Sequence, residues 1–459
     1  MKKLTKLSNV FLVQISTAVL TAAPFTPGNL IIFRVGDGSM PLTNTGSPVF
    51  LDEYTTNGTL VQSIMLPTTN GPGFYPFIAS GTATSEGLIT RSPDKRFLAM
   101  IGYGTTLGGT NVLADSASTL IPRVVAIVDY MANVDTSTAL TNFASANNPR
   151  SAITTDGTNI WVSGAGTRST APGGVAFTTR GSSMATIVST NPVNNTRQLG
   201  IFFDQLYVSS GASSFRIGTV GIGLPTSGPV TMTNLPGIPT TGINPYSFVI
   251  LSLLGTQQPD TMYVADDTSG AGIIKYSYVQ GQWISNGVIR APSIRGLVAI
   301  VSISETRTNV YLYGTTGAGT ASGGGALYAA VDSAGYNMAP STETATIIAS
   351  APPYTAFRGI AFAPEPPPPA PPSEVIITSI ETAGSDVKIY WSAPSGSKCY
   401  VQAATPKNLS VNAPFEDIAG PILITPESTI TNYLDPGAIT NFDARYYRIR
   451  VESQPVPRE

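Results

Sequence analysis

The chain of 459 residues contains no histidine and a single cysteine, Cys399. Without histidine there is no Ser-His-Asp or Cys-His nucleophile system, no c-type haem attachment and no His-containing zinc or iron site. One cysteine excludes an intrachain disulfide. Charge is scarce as well: 11% of residues are charged, against about 25% in ordinary globular chains. With 25 basic and 27 acidic residues the net charge is −2, and no basic block or stripe makes an electrostatic case for nucleic acid. Beyond the N-terminus no apolar run approaches the roughly 18 residues of a membrane span. Chemistry is left to carboxylates, Tyr, Lys, Arg or an oxygen-bound metal such as calcium.

What is abundant is turn chemistry. The chain has 45 glycines and 37 prolines beside a 42% apolar content, so it turns often and still has material for a core. The opening "MKKLTKLSNVFLVQISTAVLTAAP" carries lysines at 2, 3 and 6, an apolar stretch from Val10 to Leu20 and small residues at Ala22 and Ala23. That is the layout of a secretory signal peptide over residues 1–23, cut after Ala22 or Ala23. It implies a secreted or cell-surface protein.

Short β runs recur along residues 24–363: "NLIIF" from Asn29, "RFLAM" from Arg96, "NIWVS" from Asn159, "QLYVS" from Gln205, "TMYVA" from Thr261 and "NVYLY" from Asn309. Their start-to-start separations are 67, 63, 46, 56 and 48 residues, the spacing of β-propeller blades. Each run after the first follows another strand, and all six are followed by two more, giving an up-and-down unit of four strands. The first copy lacks its opening strand, and "FRGIAFAP" near residue 360 is an opening strand with no successor. The two fragments complement each other. The spacing therefore predicts that residues 357–363 pair with 29–35 as a latch closing an all-β, six-bladed propeller, with a seventh blade the alternative.

A proline-rich linker, "PEPPPPAPPSE", follows over residues 364–374, extended and stiff. Residues 375–459 alternate as short strands. Their "WSAP", "YVQ" and "RYYRIRV" resemble the small fibronectin-type-III-like β-sandwiches that follow the main domain in secreted bacterial proteins. Such modules imply positioning or tethering. The repeat itself, through "TMYVADD", "GIIKYSYVQGQW" and "FRGIAFAP", resembles a group of secreted bacterial propeller proteins of undefined activity. No catalytic motif carries over.

Glycine-rich loops after the second strand of each unit mark the default binding face. The position just before each opening strand holds Arg150, Arg197, Tyr246, Arg295 and Arg358, with Glu86 near the equivalent place. In a propeller these residues enter the mouth of the central channel. The guanidinium groups there either hold a carboxylate, sulfate or phosphate, or pair with Asp and backbone carbonyls of neighbouring blades. An anion site predicts that Arg295→Ala with Arg358→Ala abolishes binding and leaves the fold intact. Asp266 and Asp267 on the same face are candidate calcium ligands, or a solvated loop; no other cofactor is implied.

Three functions fit. The first is a non-enzymatic secreted or surface protein that recognises a glycan, an anionic ligand or a protein. The second is a propeller hydrolase or lyase acting on sugars or lactones. Sialidases are six-bladed and use an arginine cluster with Tyr and acidic groups, but "TTDGTNIW" only distantly echoes their Asp box; calcium-dependent lactonase-type propellers need Glu, Asn and Asp where arginine prevails here. The third is a structural subunit of an extracellular assembly.

Overall fold

The computed structural model describes residues 22–166, 172–303, 308–367, 374–405, 415–425, 430–442 and 444–452. The signal-peptide reading of residues 1–21 and most of the proline run therefore lie outside the described residues. The chain divides into two compact units, Met1–Pro366 and Pro367–Glu459.

Unit one is built of small antiparallel sheets. Four of them have four strands each, paired in chain order. The first comprises Pro149–Thr154, Asn159–Gly164, Gly174–Thr179 and Thr186–Ser189. The second comprises Leu199–Phe202, Gln205–Ser209, Ile217–Val220 and Met232–Asn234. Pro245–Leu251, Thr261–Asp266, Gly272–Val279 and Gln282–Ile289 form the third, and Ile294–Ile303, Thr308–Thr316, Ala326–Asp332 and Thr346–Ser350 the fourth. A ten-stranded sheet holds the rest. One of its halves is Thr355–Phe362, Leu30–Val35, Ser47–Tyr54 and Leu60–Met65; the other is Thr90–Arg91, Phe97–Tyr103, Arg123–Asp129 and Val134–Leu140. Ile78–Ala79 bridges the halves, and Gly323–Gly324 adds a short parallel pair to Thr355–Phe362.

The expected pairing of the two fragments is present. Thr355–Phe362 runs antiparallel to Leu30–Val35, with Leu30 opposite Phe362, Ile32 opposite Ile360 and Val35 opposite Ala356. All eight residues of the late strand are buried. Burial of Phe357, Ile360 and Phe362 is worth roughly 1.5–3 kcal/mol apiece. Past the strand, Arg91 donates to the Ala363 carbonyl at 3.1 Å and pairs with Glu365 at 3.2 Å, which fixes the exit of the chain.

Because the inner strands are buried on both faces, their alternate residues enter two different cores. Ile31 and Phe33 pack with Leu98 and Met100, whereas Leu30 and Ile32 pack with Tyr313 and Leu327. Ala152 packs with Ile101 and Val125, and Ile153 with Leu199 and Leu206. Tyr207 joins Phe248 and Met262, and Tyr263 joins Leu297 and Val310. Every sheet or half-sheet thus shares one core with its predecessor and one with its successor, and the last shares one with the first. Thr90, Ile153, Gly200, Val249, Val298 and Ala361, one from each opening strand, line a common cavity of about 130 Å³.

Unit two has two three-stranded sheets. Asp386–Ser392 is flanked by Ile376–Ala383 and Ile430–Asp435, and Lys398–Ala404 by Glu416–Leu423 and Tyr446–Glu452. Ile389, Trp391, Val401 and Cys399 are fully buried in its core, and burial pushes the Cys399 thiol up.

Candidate functional site

The aligned residues lie close together, but Arg150, Tyr246, Arg295 and Arg358 fall within the opening strands and not ahead of them. Arg150, Arg197 and Glu86 are held by the next repeat along the chain, Arg295 and Arg358 by the preceding one and by residues 81–84. Arg150 donates Nη1 to Asn195 Oδ1 at 2.5 Å, and Arg197 donates Nη1 to Asn244 Oδ1 and to the Pro245 carbonyl, both at 2.8 Å. Asn148 Nδ2 in turn reaches Glu86 Oε1 at 2.5 Å. These asparagines sit two residues ahead of Arg150, Arg197 and Tyr246, so a recurring Asn-x-Arg or Asn-x-Tyr pattern carries the clasp. Sequence reasoning missed it, although the repeat of Asn148, Asn195 and Asn244 is visible in the letters.

Backbone ties reinforce the arrangement. Hydroxyl groups of Ser163, Ser209 and Thr315, each on a second strand, donate to the carbonyls of Arg197, Tyr246 and Arg358 in the following repeat. A buried carbonyl satisfied this way fixes the neighbouring sheet in place at about 1 kcal/mol per bond.

Tyr246 is buried beneath two cations. The guanidinium carbon of Arg197 lies 3.9 Å from its ring centre and that of Arg295 lies 4.6 Å away. Arg295 forks onto Asp267 with Nε–Oδ1 2.8 Å and Nη2–Oδ2 2.9 Å, and gives Nη1 to the Thr84 carbonyl at 2.5 Å. Arg358 gives Nη1 to the Ala318 carbonyl at 2.8 Å and Nη2 to the Gly81 carbonyl at 2.9 Å. Residues 81–84 are thus strapped down by two arginines.

Burial dominates the electrostatics. It lowers Arg150 to about 10, the charge of nearby Arg197 adding to the effect and the Tyr246 phenol opposing it. Burial likewise lowers Arg358 to about 10, opposed by Glu86 and assisted by Arg295. Arg197 shifts down through burial and through Arg295 and Arg216. Arg216, ahead of a third strand, is a further cation that the alignment of opening strands did not reveal. Glu86 is pushed up by burial, against hydrogen bonds from Tyr103, Asn148 and the Ser80 amide.

The calcium expectation for Asp266 and Asp267 meets a different geometry. Asp266 Oδ1 accepts the Asn244 and Thr268 amides at 3.0 and 2.8 Å, while Asp267 faces Arg295. Both carboxylates are thus engaged by the protein, and Asn244 reaches each: its backbone amide donates to Asp266 Oδ1 and its Nδ2 to Asp267 Oδ2 at 3.4 Å. Among the described residues no group of three or more acidic, Cys or His side chains could hold a metal ion.

No known family profile matches the chain, and no curated protein does. Among solved structures, a chain of the S. cerevisiae core factor aligns at 7% identity over 90% of this chain with a TM-score of 0.26. An arginine-to-alanine triple mutant of AofleA from Arthrobotrys oligospora aligns at 12% identity, over 86% of this chain and 87% of its own, with a TM-score of 0.23. This chain spans about half, 53%, of the core-factor chain. Similarity at this level carries no argument about fold or function.

Proposed function

We propose that residues 24–363 form a six-bladed β-propeller latched by Thr355–Phe362, and that the protein is a non-enzymatic secreted or surface binding protein. Its loop face, around the arginine cluster, recognises a glycan or another anionic ligand. Six cores shared in succession, with the last sheet packed on the first, support the ring. The cavity lined by all six opening strands is what a central channel would leave. The leader-like N-terminus supports export, and the two-sheet second unit supports a fibronectin-type-III-like tether.

One observation carries the functional reading. Four guanidinium groups crowd one mouth beside three carboxylates that the protein itself engages: Asp267 pairs with Arg295, Asp266 accepts two backbone amides, and Glu86 accepts from Tyr103 and Asn148. An excess of cation in a partly desolvated place attracts an anion. A hydrolytic role finds no such support: Glu86 hydrogen-bonds Tyr103 at 2.5 Å, and burial raises that phenol well above its ordinary range, away from nucleophilicity.

The test is a thermal-shift panel of neutral and acidic sugars on the intact protein. A specific ligand at 100 times its Kd stabilises by about 2.7 kcal/mol. Stabilisation by acidic sugars alone, weakening with added salt, is expected. The absence of a shift with every acidic probe would remove the reading.

A further inference from the structure

Of the four guanidinium groups at the mouth, two are spent on the protein and two are not. Arg295 gives all three nitrogens to Asp267 and Thr84, and Arg358 gives both terminal nitrogens to carbonyls. Arg150 and Arg197 donate through Nη1 alone. The buried Nε of Arg150, Arg197 and Arg358 alike meets no acceptor among the described residues, but Arg358 spends the adjacent Nη2 on Gly81, whereas no acceptor among the described residues takes Nη2 of Arg150 or Arg197. Nε–H and Nη2–H share one edge of the guanidinium plane, the edge that grips a carboxylate with two parallel bonds. A buried donor left unpaired is unfavourable, and Arg150 is 91% buried, its exposure being 9%.

The two edges are neighbours. Arg150 ends on Asn195 and the Thr196 carbonyl, the two residues directly ahead of Arg197. Gly211 keeps the second one in place: a Cβ there would fall 2.7 Å from Arg197 Nη2 and 2.3 Å from Asn244 Oδ1. Its backbone lies outside the left-handed region, so room for the guanidinium, not conformation, is what requires glycine.

We propose that Arg150 and Arg197 form a cleft for a single carboxylate, carried by a sugar of the uronic-acid class. This rests on the loop-face reading above. A planar monoanion matches the two edges, whereas a dianionic phosphate would meet more strongly the field of Asp267, whose Oδ2 lies 3.4 Å from Asn244 Nδ2. The surrounding partners, Asn195, Asn244 and Tyr246, are neutral hydrogen-bonding groups suited to hydroxyls.

Isothermal titration of the intact protein at fixed ionic strength, with galacturonate, galactose, galactose 6-sulfate and N-acetylalanine, tests it. Galacturonate is expected to bind and galactose not. Arg150→Gln and Arg197→Gln should each weaken galacturonate at least tenfold, and Gly211→Ala should do the same with every charge retained, with unfolding temperatures checked for all three. Equal binding of the sulfate ester overturns the carboxylate assignment while the anion-recognising face stands. Equal binding of N-acetylalanine overturns the sugar assignment. If none of the acidic probes binds the folded wild type, this proposal and the reading it rests on fall together.

Discussion

The guanidinium carbon of Arg197 lies over the ring of Tyr246, 3.9 Å from its centre, and that of Arg295 lies over the same ring at 4.6 Å. The aromatic ring attracts both like charges. Tyr246→Phe should retain this packing and change stability by less than about 1 kcal/mol. Tyr246→Ala should cost about 3–5 kcal/mol, as loss of a buried aromatic does; urea unfolding of the two variants checks the difference.

Arg358 is 2% exposed and bonded to three carbonyls. Arg358→Ala leaves those acceptors unpaired at about 1–3 kcal/mol each where water does not reach them. The double change Arg295→Ala with Arg358→Ala should therefore lower the unfolding temperature markedly. A fully stable double variant that merely lost ligand would mean that the strap of residues 81–84 does not depend on the two arginines.

Lys275 and Asp332 form a fully buried pair at 2.7 Å across two neighbouring sheets, and Tyr263 donates to the same carboxylate at 2.7 Å. Lys275→Met strands the carboxylate and should cost about 3–5 kcal/mol at neutral pH. Lys275→Met with Asp332→Leu should recover part of that loss. A double-mutant cycle by chemical denaturation gives the coupling.

Glu86 supplies a pH signature. Burial raises it above 4.5 in the folded chain, so between the unfolded and folded values the native state holds the extra proton. Its contribution is fully present below the unfolded value and is lost as pH rises through the folded one. Glu86→Gln should flatten that part of the stability curve, measured as unfolding temperature from about pH 4 to 8.

Much of the architecture was legible because it rests on period and turn chemistry. Strands such as "NIWVS" and "TMYVA" place alternate residues in two cores, and the incomplete copies at Leu30 and Phe362 could be matched by their missing parts. The site was less legible. Alignment brought Arg150, Arg197, Tyr246, Arg295, Arg358 and Glu86 to one place, yet which guanidinium edge is spent depends on Asn195, Asn244 and the Gly81 and Ala318 carbonyls, which no one-dimensional spacing specifies. Asp266 and Asp267 read as candidate metal ligands; that their oxygens meet backbone amides, Asn244 and Arg295 is a matter of fold that adjacent letters do not show.

The proposed ring rests on the pairing of Thr355–Phe362 with Leu30–Val35, and a disulfide tests it most directly. Ile31 stands opposite Ala361, so Ile31→Cys with Ala361→Cys, in a Cys399→Ser background, should oxidise to one intramolecular bond. The account predicts near-complete crosslinking, seen as a mobility shift without reductant, and a higher unfolding temperature than the reduced form. Two free thiols in the folded, oxidised protein would contradict it.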